Sequence, residues 1–376
     1  MGTKVAIWGA GKFGRYVYDQ IKDREGIEVQ CFLDSNPDIV GGELDQKSIF
    51  APEQLQTDGK IAVDYVLVSF LNGMSIYNRL LQFNDIRVGI VKDRVFVDSL
   101  GFKDRLTNDS NIFWVDNNRP LLRAVETNIV DYCNLNCKGC SHFSNLYAAG
   151  DMIPFDTYCN DLEQLSRKVN IQIFSILGGE ALLNERIADY IDFSREVLPY
   201  ADILLITNGL LIPAQKEEFF LCCVENNISI EITEYLPTSR MKDKIICILE
   251  QYGVRYRFRE KIDVFMKNID LSGKADQYYA MQHCLQNDCN FLRNGRIYKC
   301  PFEALGNRFF EHFRLDIRLA GGVDIYADDL DWQEVTDKLE NKPVDACRYC
   351  GKGEWFPWEY SNHPTAEEWL VENEES

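Results

Sequence analysis

Long apolar runs are missing from this chain of 376 residues: no stretch approaches the ~20 consecutive apolar residues of a membrane-spanning helix. Basic charge is also short, with 40 Lys plus Arg against 59 Asp plus Glu and a net charge of −19. Such a surface repels phosphate backbones and anionic bilayers, which argues against nucleic acid or a membrane as partner. Internal repeats and low-complexity segments are lacking too, so a fibre or a disordered tail is excluded. Against these deficits stand 46% hydrophobic and 26% charged residues, ordinary for a globular protein of two or three domains. The surplus is in cysteine, with an odd count of 13. Met1 to Trp8 runs directly into an apolar strand with no secretory segment before it, so the expectation is a cytoplasmic chain with reduced thiols. Clustered cysteines there are expected to bind metal or do chemistry before they form bridges.

The patterning is α/β. Residues 4 to about 98 alternate strands (Val5–Trp8, Glu28–Leu33, Tyr65–Val68) with helical stretches (Tyr16–Ile21), which predicts a Rossmann-like parallel sheet over 1–98. From 99 to 125 the pattern loosens around Asp104, Asn108, Asp109, Asn117, Asn118 and Pro120 and reads as a linker. A second βα series over 126–275, with strands near 126–131, 171–176, 202–206, 228–233 and 254–259, predicts a partial (β/α)6 barrel. A small cysteine-rich domain occupies 276–376.

Gly9-Ala-Gly11-Lys12-Phe-Gly14 follows a strand and opens a helix, and Asp34 closes the next strand 20 residues on. This is the dinucleotide fingerprint in its required context. Lys12 and Arg15 fall in the first helical turn, where a cation is disfavoured unless an anion sits there, so a phosphate-bearing ligand is expected. An inherited domain that packs and binds nothing is the alternative.

Cys133-Asn-Leu-Asn-Cys137-Lys-Gly-Cys140 sits just past the strand that ends near Val130. Three thiolates on one loop can grip three irons of a four-iron cluster, leaving the fourth open for catalysis. A zinc knuckle completed by His142 is the competing reading. Five further cysteines, Cys284, Cys289, Cys300, Cys347 and Cys350, lie beyond the barrel. Asn294-Gly295 is the strongest short hairpin signal, and counting outward from it sets Cys289 opposite Cys300. Facing Cβ atoms lie ~4.5–5.5 Å apart, near enough to share a cluster or to form a disulfide. Cys347-Arg-Tyr-Cys350 is spaced like a metal knuckle. Cys31, Cys159, Cys222, Cys223 and Cys247 read as core packing, and the acidic tail Glu367 to Glu374 as a solvated amphipathic helix.

The C-x3-C-x2-C loop resembles that of the radical S-adenosylmethionine (SAM) superfamily. Two further motifs stand in that superfamily's order: Gly178-Gly179-Glu180 after the second strand and Thr207-Asn208-Gly209 after the third. The resemblance implies that both segments bind SAM and that Cys133, Cys137 and Cys140 hold a [4Fe–4S] cluster. Gly139 stands where the superfamily commonly has an aromatic, which moves the adenine-side contact elsewhere, with Phe143 as candidate.

The carboxyl-terminal cysteines look like the twitch domain, a reduced relative of SPASM, which implies a second [4Fe–4S] cluster on four of the five. The first 95 or so residues resemble the nucleotide-binding domain of sugar-modifying enzymes. Together these imply a nucleotide-sugar or phosphorylated polyol substrate and an electron donor such as flavodoxin or ferredoxin. Oxidation of an alcohol to a ketone is the expected reaction; epimerisation, peptide maturation and a zinc-stabilised binding module are the alternatives. His283, Tyr298 and Glu303 are candidate acid–base groups by position alone.

Overall fold

Val5, Ala6, Ile7 and Trp8 are at most 2% exposed, because this run forms the middle of a sheet covered on both faces. It is seen in a computed structural model that describes residues 2–57, 61–69, 86–92, 106 and 111–371. The chain divides into two units, Met1–Leu121 and Leu122–Ser376.

The first unit holds β1 (Thr3–Trp8), β2 (Ile27–Leu33), β3 (Glu43–Leu44), β4 (Lys47–Phe50), β5 (Tyr65–Val68), β6 (Arg87–Val91) and β7 (Ile112–Val115). Their spatial order is β3-β4-β2-β1-β5-β6-β7. β1 pairs in parallel with β2 and β5, as do β2 with β4 and β5 with β6, while the outer pairs β3/β4 and β6/β7 are antiparallel. Alternate residues feed two apolar layers, with Ala6, Trp8 and Leu33 on one face and Val5, Ile7 and Phe32 on the other.

The stretch 99–125, read as a linker, contains β7. Ile112-Phe113-Trp114-Val115 is an unbroken apolar run whose exposure is 4–8%, and Gly89 on β6 leaves room for the side chains of Ile112 and Trp114. The Asn- and Asp-rich flanks masked that signal; Asp104, Asn108 and Asp109 lie outside the described residues.

The second unit is built on β8 (Leu121–Val130), β9 (Asn170–Gly178), β10 (Asp202–Thr207), β11 (Ser229–Ile232) and β12 (Arg255–Phe258). β13 (Val264–Ile269), β14 (Asn290–Arg293), β15 (Arg296–Tyr298), β16 (Val323–Asp324) and β17 (Cys350–Pro357) follow. The eight-stranded sheet runs β12-β11-β10-β9-β8-β14-β15-β16. Five strands therefore follow chain order on one flank, not the six expected. β13, half-exposed along most of its length, pairs antiparallel with β17 instead. β14 adds in parallel to β8, so the hairpin of the cysteine-rich segment extends the eight-stranded sheet. Helices Phe155–Ser166, Ile187–Val197, Glu217–Glu225 and Lys242–Tyr252 cover one face of this sheet and share its core.

The tail does not form a solvated helix. Ala366–Glu368 is a single 3₁₀ turn, and Trp369 is only 3% exposed among Phe143, Phe309 and Phe313. An indole buries too much apolar area to be left in water when such a cluster is within reach; residues 372–374 lie outside the described set. Cys222 and Cys223 are buried as expected, whereas Cys247 is exposed. Among the described residues no helix is long and apolar enough to cross a membrane.

Candidate functional site

β8 ends at Val130, and the chain turns into the loop that carries Cys133, Cys137 and Cys140. The root of the loop is braced by Asp131, 4% exposed, which accepts two hydrogen bonds from the Arg293 guanidinium at 2.8 and 2.7 Å. From the far end of the sequence, the segment 358–369 roofs it. Lys138 N–H donates to Glu359 O (2.9 Å), Ser361 N–H to Asn136 O (2.6 Å), and Trp369 Nε1 to Cys140 O (2.8 Å). Gly139 takes φ +62°, and a Cβ there would lie 2.8 Å from both Glu368 O and Phe356 Cζ. The ring beside this position thus comes from Phe356 on β17. Phe143, the expected adenine contact, is instead 2% exposed in the apolar core.

The three thiols lie close enough to perturb one another. Burial, then the nearby Glu180, raises Cys133 far above an ordinary thiol; burial, then Cys140, pushes Cys137 up to about 12. Two N–H groups already point at the sulfurs, Trp358 Nε1 at Cys137 Sγ (3.2 Å) and Leu135 N at Cys133 Sγ (3.3 Å). Among the described residues no three Cys, His, Asp or Glu side chains converge tightly enough for a single metal ion. Cys133, Cys137 and Cys140 are the residues that would hold a polynuclear cluster, one thiolate per iron, and its positive irons would offset the repulsion between thiolates. His142 does not complete a zinc knuckle. Its Nδ1 lies 3.1 Å from Asn128 Oδ1, its ring meets Phe291 edge-on, and burial lowers its pKa to about 4.

Gly178 and Gly179 have a different physical reason from ligand approach. A Cβ on either would strike the backbone of Val130 or Tyr132, so these glycines let the end of β9 press against the root of the cysteine loop. Glu180, 1% exposed, accepts from Leu182 N (3.0 Å), Thr207 Oγ1 (2.7 Å) and Asn208 N (2.9 Å). Burial raises its pKa against these three hydrogen bonds. Asn208 Nδ2 then donates to Asn134 Oδ1 (2.7 Å) and approaches Cys133 Sγ (3.8 Å). All three sequence motifs are therefore joined into one network at the carboxyl ends of β8, β9 and β10.

The five later cysteines separate into four and one. Cys284, Cys300, Cys347 and Cys350 line a single pocket with the buried Lys299, whose ammonium donates to Leu339 O (2.6 Å). Cys300 caps helix Pro301–His312, its Sγ accepting from Glu303 N. Burial raises all four thiols. Cys289 does not line that pocket. The hairpin register holds from Arg293↔Arg296 to Phe291↔Tyr298 and goes no further, while Asn290 and Phe291 pair with β8, so Cys289 is not set opposite Cys300.

Glu126 belongs to a set of charged residues on the sheet face opposite the helices. Glu231 on β11, 5% exposed, accepts from Arg257 and, at 2.8 Å, from Arg259 Nε. Arg259, just past β12, also acts electrostatically on Glu126, Cys289 and Tyr235. Tyr235 also feels all three loop cysteines and stacks on Trp358 at 5.4 Å. Sequence reading missed Glu126, Glu231, Arg257, Arg259 and Tyr235; the signal available was charge interrupting otherwise apolar strands.

The positional candidates do not gather. His283 is exposed and stacked on Tyr279 at 4.0 Å. Glu303 holds Lys299 N (2.9 Å) and Gly322 N (3.3 Å), and Tyr298 packs over Gly322. In the first unit Gly9 takes φ +114°, and a Cβ on Gly14 would strike the carbonyl of Gly9, while Gly11 has open space beside it. Asp34 accepts from Ala10 N (2.8 Å) and Asn36 N (2.9 Å), so its carboxylate braces the glycine loop. Arg15 pairs with Asp45 at 3.2 Å.

No family model matches this chain, and no curated protein matches it. Among solved structures it is similar to Streptococcus suis SuiB bound to S-adenosylmethionine, at 19% identity over 37% of this chain and 33% of that one, TM-score 0.31. It is also similar to BtrN in complex with AdoMet and 2-DOIA, at 17% identity over 62% and 94%, TM-score 0.38. A third is UDP-D-quinovosamine 4-dehydrogenase from Vibrio fischeri, at 19% identity over 29% and 97%, TM-score 0.23. The chain spans about a third of the length of SuiB.

Proposed function

We propose that this chain is a radical SAM oxidoreductase that oxidises an alcohol of a phosphate- or nucleotide-activated sugar or polyol to a ketone. The observation that carries the reading is the joined network: a loop of three thiols whose neighbour Asn134 is tied through Asn208 to the buried Glu180. Cys133, Cys137 and Cys140 would hold one [4Fe–4S] cluster with an iron left for SAM, and Cys284, Cys300, Cys347 and Cys350 would hold a second. When bound, these groups supply a 5′-deoxyadenosyl radical that removes a carbinol hydrogen and an acceptor for the remaining electron.

The chain's own residues orient and enclose. Trp358 and Leu135 aim N–H groups at two sulfurs, and Trp369 fixes the carbonyl of the third cysteine. Glu231, Arg257 and Arg259 give this face of the sheet a fixed charge pattern that suits a polar, anionic substrate. In the first unit, the open space at Gly11 supports a nucleotide ligand. Anaerobic reconstitution tests the reading: iron and sulfide near eight per chain, absorption near 400 nm and 5′-deoxyadenosine from SAM are expected. Zinc in place of iron would sink it.

A second reading, epimerisation, is favoured by one observation: Cys289 lies outside the four-thiol pocket and forms no disulfide, which leaves one thiol beyond the two cysteine groups as a hydrogen-atom donor. Turnover in deuterium oxide separates the two, since only epimerisation returns a solvent deuterium to carbon.

A further inference from the structure

Lys299 follows β15 and precedes Cys300, and it is only 2% exposed. Its side chain shares one pocket with Cys284, Cys300, Cys347 and Cys350, and among the described residues no other charged group lines that pocket. Burying an ammonium is costly unless a counter-charge and hydrogen bonds replace the water it leaves. Among the described residues this one forms no ion pair. Two carboxyls bear on it but are spent on other donors. Glu303 accepts from Lys299 N (2.9 Å) and Gly322 N (3.3 Å), and Glu340 from Arg123 N and Asn290 Nδ2, both at 3.3 Å. An ammonium has three N–H donors, and the acceptor it meets among the described residues is Leu339 O (2.6 Å), in the last turn of helix Trp332–Asn341. A helix C-terminus carries only about half a negative charge. The positive charge is thus fixed in place and largely uncompensated by the protein.

We propose that Lys299 is the positioning residue of the four-thiol site: its ammonium is the built-in counter-charge of an iron–sulfur cluster held there and favours that cluster's uptake of an electron. The proposal rests on the two-cluster dehydrogenase reading above. Four thiolates around a four-iron cluster are net negative, and one unit more so after an electron is taken up. A fixed cation in the same pocket therefore stabilises the reduced form more than the oxidised one. Two backbone donors act in the same sense, Gln286 N toward Cys284 Sγ (3.3 Å) and Glu303 N toward Cys300 Sγ (3.5 Å). No bond forms or breaks at Lys299. The electron comes from the substrate radical, which becomes the ketone as its O–H proton leaves to water. Net oxidation of an alcohol needs such an acceptor, whereas inversion of a carbinol centre moves no net electrons.

The test uses the full chain carrying Cys133→Ala, Cys137→Ala and Cys140→Ala, so that iron and sulfide load only the four-thiol site. In this background Lys299→Met should move the midpoint, read by EPR redox titration, to a more negative value by at least tenfold in the one-electron equilibrium, about 59 mV. Lys299→Arg, which keeps the charge, should stay within about threefold. A midpoint unmoved in Lys299→Met, or moved equally in both variants, overturns the proposal. Loading of about four irons by Lys299→Arg but none by Lys299→Met supports it, since charge alone separates the two; failure of both to load assigns Lys299 to packing and overturns it. Without metal, Lys299→Met should melt no lower than its metal-free parent, because it removes an uncompensated buried charge. A fall of about 5 °C or more would assign the ammonium to the fold and overturn the proposal. If the background chain itself takes up no iron, the two-cluster reading falls before any change at Lys299, and the counter-charge assignment falls with it.

Discussion

Trp369 offers a direct measure of how firmly the far end of the sequence holds the cysteine loop. Replacing it with Ala removes a side chain packed within 6.0 Å (centroid to centroid) of Phe143, Phe309 and Phe313, and removes the donor to Cys140 O. Buried Trp→Ala changes cost about 3–5 kcal/mol through lost burial and the cavity left behind. Orphaning the Cys140 carbonyl adds about 1 kcal/mol or more. Trp369→Phe keeps most of the ring and loses the N–H, so about 1–2 kcal/mol is expected from the hydrogen bond alone. For a unit of this size each kcal/mol moves the melting temperature by about 2–4 °C. Thermal unfolding of the metal-free protein should therefore fall by roughly 10 °C or more for Trp369→Ala and by about 5 °C for Trp369→Phe. Reconstituted iron should fall in both, because the loop loses its roof. Equal melting temperatures for all three proteins would refute the buried placement of Trp369. A full loss in Trp369→Phe would show that the hydrogen bond, not packing, dominates.

Single Cys→Ser changes at 284, 300, 347 and 350 should each lower iron from about eight to about four per chain, whereas Cys289→Ser keeps about eight; iron and sulfide assays decide it. Trp358→Phe removes the N–H that points at Cys137 Sγ. It should shift the reduction potential of the loop cluster to a more negative value, and an unmoved midpoint in an EPR redox titration would show that the contact is not made. Glu126 carries a raised pKa, about 8 against 4.5, mainly from burial. The folded state thus holds its proton after the unfolded state has lost it, so stability contributed below pH 4.5 is lost as pH rises toward 8. Glu126→Gln should accordingly be stabilised relative to the parent on going from pH 5 to pH 8, by on the order of 1 kcal/mol, in melting temperatures taken at both values.

What was legible in the sequence was local. The apolar runs at Val5–Trp8 and Tyr65–Val68, the glycine loop after them and the Asn294-Gly295 turn all declare themselves through short-range chemistry, and the strands lie where those runs placed them. The cysteine loop and its two companion motifs could be read by spacing, because each sits at the end of its own strand. What could not be read was whatever depends on residues far apart. Cys289 and Cys300 are opposed by hairpin counting, yet the chain beyond Phe291↔Tyr298 is steered by packing onto β8, and counting carries no information about that. Phe143 and Trp369 look like site and surface residues in isolation; both are drawn into one aromatic core that needs Phe302 and Phe309 to exist. Charges such as Glu231 and Arg259 become a group only when β11 and β12 lie side by side.

The roof over the cysteine loop also sets a timetable. Cys137 and Cys140 contact Trp358 and Trp369, partners 221 and 229 residues further along the chain. During synthesis the strands β8 to β12 emerge first, and the three thiols stand without this cover until residues 358–369 have left the ribosome. Closure by residues 358–369 then turns an open, oxidation-prone patch of thiols into a sheltered one, so a segment made more than two hundred residues after the loop decides when its sulfurs leave solvent.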